Sequence, residues 1–282
     1  MRFFHRYTGR SKDAFPLNKL NQWFGGRKQR KSLVPAYARS SSVNRKMYPN
    51  TKSTIRTITL MLMMISFVDI AQAQQLRAMT QEVQEAITPA KALEMLKEGN
   101  KRFVEGNMIE RDLMSLVSQT ATGQYPYAVV LGCIDSRVPP ELIFDQGIGD
   151  IFTPRIAGNF VNTDILGSME FATKVAGSKL IVVLGHSSCG AVKGACDHVE
   201  LGNLTNTLSN LMPAVYAVDE VIGERNSSNS AYVEDVAHMN VKLTVENVLQ
   251  RSPVMKELVE QGELMVVGAM HDVKTGKVTF MD

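Results

Sequence analysis

Cysteine is scarce in this chain of 282 residues, which has only Cys133, Cys189 and Cys196. So small and odd a number excludes a disulfide framework as the basis of the fold. Tryptophan is rarer still, since Trp23 is the only one. With histidine close to Cys189, a metal site is the better interpretation of the thiols.

The body of the chain also lacks basic charge. Residues 1–73 hold 14 Lys and Arg against 2 Asp and Glu, which leaves 17 basic and 26 acidic residues in 74–282, a net charge of −9. Nucleic-acid binding needs a basic footprint. An acidic body therefore excludes nucleic acid as the expected partner.

The N-terminal residues divide into two segments. Residues 1–46 are rich in Arg, Lys and Ser without apolar periodicity, which predicts disorder or a start codon placed too early. In 47–73, basic residues precede the apolar run 58–68 and a small-x-small site that ends at Ala73. This pattern predicts a signal peptide cleaved after Ala73, export to the periplasm and a mature domain over 74–282.

An uncleaved anchor and a short core helix are the alternatives for that segment. Its apolar run is shorter than the ~20 residues that a membrane-spanning helix needs. Asp69 also interrupts it. We therefore expect no stable membrane span after cleavage.

Apolar runs at 127–132, 180–185 and 264–269 read as buried strands. Helical patterns between them predict an α/β fold with a mostly parallel sheet flanked by helices. A short turn joins the last strands, 264–269 and 277–281, and predicts an antiparallel edge. Thr88 and Pro89 begin an N-terminal helical arm that ends at Gly106. Further predictions are a short strand at 151–153 and helices at 107–123, 164–176, 191–198, 202–223, 231–250 and 254–261.

Reactive side chains follow two of the buried strands. Cys133, Asp135 and Arg137 come after the first strand, and His186 and Cys189 after the second. Chemistry collects at the carboxyl ends of strands in an open α/β sheet. If the two strands are neighbours, both thiols and the imidazole meet at one point.

Two thiolates and one imidazole suit Zn²⁺ in a tetrahedral site. Three protein ligands, Cys133, His186 and Cys189, leave one position open, which is typical of catalytic zinc. Such zinc lowers the pKa of a bound water towards ~7.

Two thiolates neutralise the charge of the metal, so the site acidifies a bound water less than three histidines would. Three neighbouring features can compensate for this. Asp135 can accept a hydrogen bond from the metal-bound hydroxide, and Arg137 can hold Asp135 in a charge-assisted pair. A helix that begins near Gly190 directs its positive end towards the Cys189 thiolate.

Other interpretations stay open at this point. Cys133 and Cys189 could be buried apolar thiols or could form a disulfide. Cys196 lies among small residues of a helix and is expected to be a packed core thiol. The remaining histidines lack ligand spacing and are expected to be packing or surface residues, unless one of them relays protons: His198, His238 and His271.

The Cys-x-Asp-Ser-Arg segment followed by His-x-x-Cys-Gly resembles the β-class carbonic anhydrases. The resemblance continues through 96–103, 149–152, 155–159, 167–172, 189–194 and 268–278. It therefore covers about 88–282.

This resemblance implies a zinc enzyme with one Zn²⁺ per subunit. It would interconvert carbon dioxide and water with bicarbonate and a proton through zinc-bound hydroxide. The implied substrate pocket contains Gln124, Phe152, Ala157 and Gly190. Family members build each pocket at a dimer interface, which implies a homodimer or homotetramer.

The chain departs from the family pattern at three positions. Phe171 replaces a tyrosine and Ala157 replaces a valine found in some members. Val130 stands where a bicarbonate-regulated subgroup has tryptophan, which argues against that inhibitory site. In the same subgroup the aspartate can move onto zinc, so Asp135 becomes a metal ligand only if a closed form exists.

Two other functions remain compatible with these residues. One is a hydrolase of a CO₂-like molecule, carbon disulfide or carbonyl sulfide, on the same scaffold. The other is a non-catalytic zinc-binding relative. Asp135 and Arg137 argue against the second, because a structural zinc site needs no such pair.

Overall fold

A computed structural model describes residues 77–281 of the chain. The two predicted N-terminal segments, 1–46 and 47–73, and the cleavage site after Ala73 lie outside these residues. In residues 77–281, no helix is both long and apolar enough to cross a membrane.

The described residues form a five-stranded sheet in the order β2-β1-β3-β4-β5. β1 pairs in parallel with β2 and β3, and β3 in parallel with β4, whereas β5 is antiparallel to β4. This confirms the predicted α/β class with a mostly parallel sheet and an antiparallel edge. The strands are β1 (Ala128–Gly132), β2 (Ile151–Phe152), β3 (Leu180–His186), β4 (Met265–His271) and β5 (Val278–Phe280).

Polar and apolar residues do not alternate along the two central strands, β1 and β3, because both faces of these strands are covered. Every residue of β1 and β3 is buried. Strands covered on both faces read as continuous apolar runs, which is how they were visible in the sequence. Helices supply the cover, for example α2 against β3 and α9 against β3 and β4.

The helices begin and end at residues with local physical causes. Thr88 accepts a hydrogen bond from the Lys91 amide to start α2, and Gly106 ends it at φ 71°. The helices are α1 (Gln81–Ala86), α2 (Pro89–Glu105), α3 (Leu113–Thr120), α4 (Pro140–Ile143), α5 (Thr163–Glu170), α6 (Gly190–Cys196), α7 (Gly202–Ser209), α8 (Met212–Ala217), α9 (Ser230–Arg251) and α10 (Pro253–Glu260).

Several helix boundaries differ from the sequence prediction. The segment 107–123 is helical only in α3, which Asp112 caps through the Ser115 amide. The segment 202–223 forms two helices because Pro213 sits in the first turn of a new one. Asn162, rather than Asp164, caps α5. A π-helical turn over Phe171–Val175 follows α5.

The strand order reverses between β1 and β3. From β1 the chain first adds β2 on one side and later adds β3 on the other. In open α/β sheets, ligands bind at such a reversal, outside the carboxyl ends of the strands. The reactive residues at the ends of β1 and β3 therefore lie where ligands bind in sheets of this kind.

Candidate metal centre and active site

Cys133, His186 and Cys189 converge at the carboxyl ends of β1 and β3. Their ligand atoms all lie within 4.8 Å of one another, and all three residues are buried. Cys133 directly follows β1, His186 is the last residue of β3, and Cys189 precedes the first residue of α6. The in-register parallel pairing of β1 with β3 produces this meeting.

The ring of His186 is oriented to bind a metal. Its Nδ1 lies 3.0 Å from the carbonyl oxygen of Ser187, and a carbonyl accepts only from a protonated nitrogen. The lone pair is thereby assigned to Nε2, which is buried and has no hydrogen-bond partner among the described residues. An imidazole nitrogen and two sulfurs are a donor set that suits zinc.

A hydrogen bond between the two thiols shifts the pKa of each of them in opposite directions. A hydrogen bond from Cys189 lowers the pKa of Cys133, and the Gly158 amide, 3.4 Å from the Cys133 sulfur, adds to this effect. Cys189 donates that hydrogen bond and is buried, so its pKa is raised. Since a metal binds thiolates, binding must release the proton that this pair holds.

Asp135 and Arg137 form a two-pronged ion pair beside the thiols. Arg137 Nε lies 2.9 Å from Asp135 Oδ1, and its Nη2 lies 2.8 Å from Oδ2. The Arg137 side chain holds the pKa of Asp135 well below its usual range. Asp135 Oδ2 is also 4.0 Å from His186 Nε2, so the carboxylate lies next to the expected metal position.

Arg155 is a site residue to which the sequence analysis assigned no role. Its Nε donates to the carbonyl oxygen of Cys133 at 2.7 Å, and its Nη2 to that of Asp135 at 2.6 Å. It fixes the backbone that carries a thiol and the carboxylate. The available signal was its place shortly after β2, the neighbour of β1.

His271 lies closer to the site than its spacing in the sequence suggested. It ends β4, pairs in register with His186, and is buried. Burial lowers its pKa to about 4. The ring is therefore neutral at physiological pH and lies beside the strand end that carries a metal ligand.

The four expected pocket residues do not all lie together in one chain. Ala157 precedes Gly158, whose amide faces the Cys133 sulfur, and Gly190 begins α6 next to Cys189. Gln124 is exposed before the amino end of β1, and Phe152 lies in β2 opposite Val129. Because β1 rises ~3.3 Å per residue, these last two are distant from the metal ligands of their own chain.

Comparison with known proteins identifies the family. The family model described as carbonic anhydrase matches residues 128–278. Carbonic anhydrase 2 of Mycobacterium tuberculosis is 37% identical over 196 residues, which cover 69% of this chain and 93% of that protein. The carbonic anhydrase of Mycolicibacterium smegmatis is 35% identical, covering 67% of this chain and 92% of its own.

Solved β-class structures agree with these matches. The β-carbonic anhydrase CafA of Aspergillus fumigatus is similar with a TM-score of 0.52 and 28% identity, over 68% of this chain and 90% of that one. A tetrameric β-carbonic anhydrase of Sordaria macrospora gives a TM-score of 0.50 and 29% identity, over 57% and 83%. The chain belongs to the β-class carbonic anhydrases, enzymes whose general activity is the hydration of carbon dioxide.

Proposed function

We propose that this chain hydrates carbon dioxide reversibly to bicarbonate and a proton at a single Zn²⁺ held by Cys133, His186 and Cys189. The observation that carries the proposal is the Asp135–Arg137 pair. It places a carboxylate oxygen 4.0 Å from Nε2 of His186. Three ligands with an adjacent acceptor fit a catalytic metal better than a structural one.

The metal and the protein have separate tasks in this proposal. Zinc would supply a water whose pKa is lowered enough to act as a nucleophile near neutral pH. Asp135, whose Oδ2 lies next to the expected metal position, would accept a hydrogen bond from such a water and so orient it. Arg137 occupies both carboxylate oxygens and thereby keeps Asp135 off the metal.

Hydrogen bonds from Arg155 to the backbone hold these groups in place. Arg155 holds the carbonyl oxygens of Cys133 and Asp135. One guanidinium therefore ties together the backbone that carries the thiol and the backbone that carries the carboxylate. Ala157 and Gly190 leave little side-chain bulk next to the sulfurs, as a small linear substrate requires.

The distant pocket residues are best explained by a second copy of the chain. Phe152 and Phe171 pack edge to face with ring centroids 6.3 Å apart and line an open cleft of about 810 Å³ beside edge strand β2. Phe171 is half exposed there. In the proposed homodimer or homotetramer, Gln124 and Phe152 contribute to the metal site of a neighbouring subunit.

Stopped-flow measurement of CO₂ hydration, paired with zinc analysis, tests the catalytic proposal. The zinc-loaded protein is expected to hydrate CO₂ at alkaline pH, and the chelated protein to lose that activity. Zinc-dependent consumption of carbon disulfide or carbonyl sulfide without CO₂ hydration would assign the site to those molecules. Stoichiometric zinc with neither activity would make it non-catalytic.

The pattern in 47–73 supports a further proposal, that the enzyme is exported to the periplasm. Sequencing the N-terminus of protein purified from the periplasmic fraction tests it. A chain beginning at Gln74 agrees with cleavage after Ala73, whereas a chain that retains residues 47–73 contradicts it.

A further inference from the structure

We propose that Ser187 is a positioning residue: its hydroxyl anchors the peptide that orients the His186 ring towards zinc. The inference rests on the proposed function only in taking His186 as a zinc ligand. It concerns how tightly and in what geometry the metal is held, rather than which reaction follows.

The amide, carbonyl and hydroxyl groups of Ser187 join the end of β3 to β4 and to the turn that follows β4. Its amide donates to the carbonyl oxygen of His271 at 2.9 Å, which extends the pairing of β3 with β4. Its carbonyl oxygen accepts from His186 Nδ1 at 3.0 Å. Its Oγ accepts from the Val273 amide at 3.0 Å and faces Asp272 Oδ1 at 3.4 Å.

The turn that receives the hydroxyl is itself held by hydrogen bonds. Asp272 Oδ1 accepts from the Lys274 amide at 2.9 Å, and Asp272 Oδ2 accepts from Thr275 Oγ1 at 2.9 Å. The Asp272 amide also donates to the carbonyl oxygen of Lys277 at 2.9 Å, which closes the turn between β4 and β5. Ser187 is therefore tied to a fixed point of the sheet edge.

The backbone just beyond Ser187 explains why an anchor is useful. Ser188 has φ 55°, in the left-handed region that non-glycine residues occupy at a cost. This turn carries the chain from His186 to Cys189 in three residues. Without the hydroxyl, the Ser187–Ser188 peptide can relax towards an ordinary conformation, and its carbonyl then leaves Nδ1 of His186.

The position of the proton on the His186 ring decides which ring nitrogen can bind the metal. When the carbonyl of Ser187 holds the proton on Nδ1, the Nε2 lone pair is free and correctly aimed. If the carbonyl moves, the other tautomer becomes accessible and the ring can rotate. Partners of metal-ligating histidines of this kind commonly change metal affinity by about 10- to 100-fold.

The test compares Ser187→Ala with Ser178→Ala. Ser178 is buried near the amino end of β3, and its hydroxyl donates to the carbonyl oxygen of Pro126 at 2.7 Å. Both variants remove one hydroxyl that bonds to backbone, at opposite ends of the same strand. Zinc affinity is measured by competition with a chromophoric chelator. Because its hydroxyl acts through another group, Ser187→Ala is expected to weaken affinity by about tenfold, the low end of that range.

Ser178→Ala is expected to lower the melting temperature while binding zinc as the wild type does. Ser187→Thr keeps the hydroxyl and is expected to restore most of the affinity. The His186 tautomer, read from ring ¹⁵N shifts of the zinc-loaded protein, should show Nδ1–H in the wild type and greater exchange broadening in Ser187→Ala.

Unchanged zinc affinity and unchanged ¹⁵N shifts in Ser187→Ala would overturn the inference. An equal loss of affinity in Ser178→Ala would also overturn it, because the effect would then be general destabilisation. Failure of the proposed function looks different: wild-type protein would bind zinc with the expected affinity and tautomer but would not hydrate CO₂.

Discussion

Arg137 binds both carboxylate oxygens of Asp135, with Nε–Oδ1 at 2.9 Å and Nη2–Oδ2 at 2.8 Å. The same Asp135 Oδ2 lies 4.0 Å from His186 Nε2. One oxygen is thus shared between the guanidinium and the expected metal position. In the proposed function, this arrangement would let Asp135 contact a metal-bound ligand while the ion pair restrains it from replacing that ligand.

Asp135→Asn should separate metal binding from turnover. The three expected ligands remain, so zinc content should equal that of the wild type. An amide is a poorer acceptor than a carboxylate, and kcat/KM for CO₂ hydration should fall on the order of 10²-fold. Asp219→Asn, an exposed change of the same kind, is the control and should keep full activity. Unchanged turnover in Asp135→Asn would refute the role of Asp135.

Arg137→Lys should show that geometry, rather than charge alone, matters in the pair. Lysine keeps the positive charge but cannot form two parallel hydrogen bonds to a carboxylate. We expect turnover to fall, and the double variant with Asp135→Asn to be little worse than Asp135→Asn alone, because both act as one unit. Multiplicative losses in stopped-flow assays would mean that Arg137 acts independently of Asp135.

Thiol titration before and after chelation should distinguish the three cysteines. Zinc should protect Cys133 and Cys189, whereas burial raises the pKa of Cys196 to about 11 and so keeps it an unreactive thiol. After chelation under reducing conditions Cys133 should react first, because the Cys189 hydrogen bond lowers its pKa and keeps it a thiolate. Cys196 should react only on unfolding. Rapid labelling of Cys196 in the folded protein, identified by mass spectrometry, would contradict this assignment.

Subunit mixing should reveal whether metal sites are shared between chains. Gln124→Ala should lower kcat/KM by up to about tenfold, as expected for one lost hydrogen bond, although Gln124 is distant from the metal of its own chain. After unfolding and refolding together, Gln124→Ala and Asp135→Asn chains should form mixed dimers in which one site is complete. Activity above the mean of the two parents supports sharing; activity equal to that mean indicates that each chain is self-sufficient.

The sequence predicted the parts of this protein that depend on short stretches of chain. The apolar runs of β1 and β3 identified the central strands because burial on both faces leaves no polar positions. The three candidate metal ligands lie at the ends of those strands or within three residues of them. Parallel pairing of β1 with β3 then suffices to bring them together.

The contacts that the sequence did not predict depend on relations between distant elements. Arg155 reaches the site only because β2 pairs with β1, and His271 only because β4 pairs in register with β3. The start of α5 depended on which of two nearby capping residues, Asn162 or Asp164, fits the local backbone, and the structure uses Asn162. Residue type alone leaves such choices open.

Asp145→Asn should test a buried ion cluster that joins the helical arm to the sheet domain. The Asp145 side chain is fully buried and accepts from Arg102 Nε and Arg111 Nη1, each at 2.5 Å. Its φ of 48° is in the left-handed region, which asparagine tolerates as well as aspartate, so the backbone need not change. Removing one partner of a buried ion pair leaves uncompensated charge, and the free energy of unfolding should fall by about 3 kcal/mol.

Denaturant unfolding of the zinc-loaded protein measures that change in Asp145→Asn, with the protein concentration kept the same for every variant. The exposed Asp219→Asn should stay within about 0.5 kcal/mol of the wild type. Zinc content should be unaffected in both variants, because the cluster contacts the arm and not Cys133, His186 or Cys189. Equal unfolding free energies for the two variants would show that the arm is held by apolar packing, and that Arg102 and Arg111 are solvated well enough to lose their shared carboxylate.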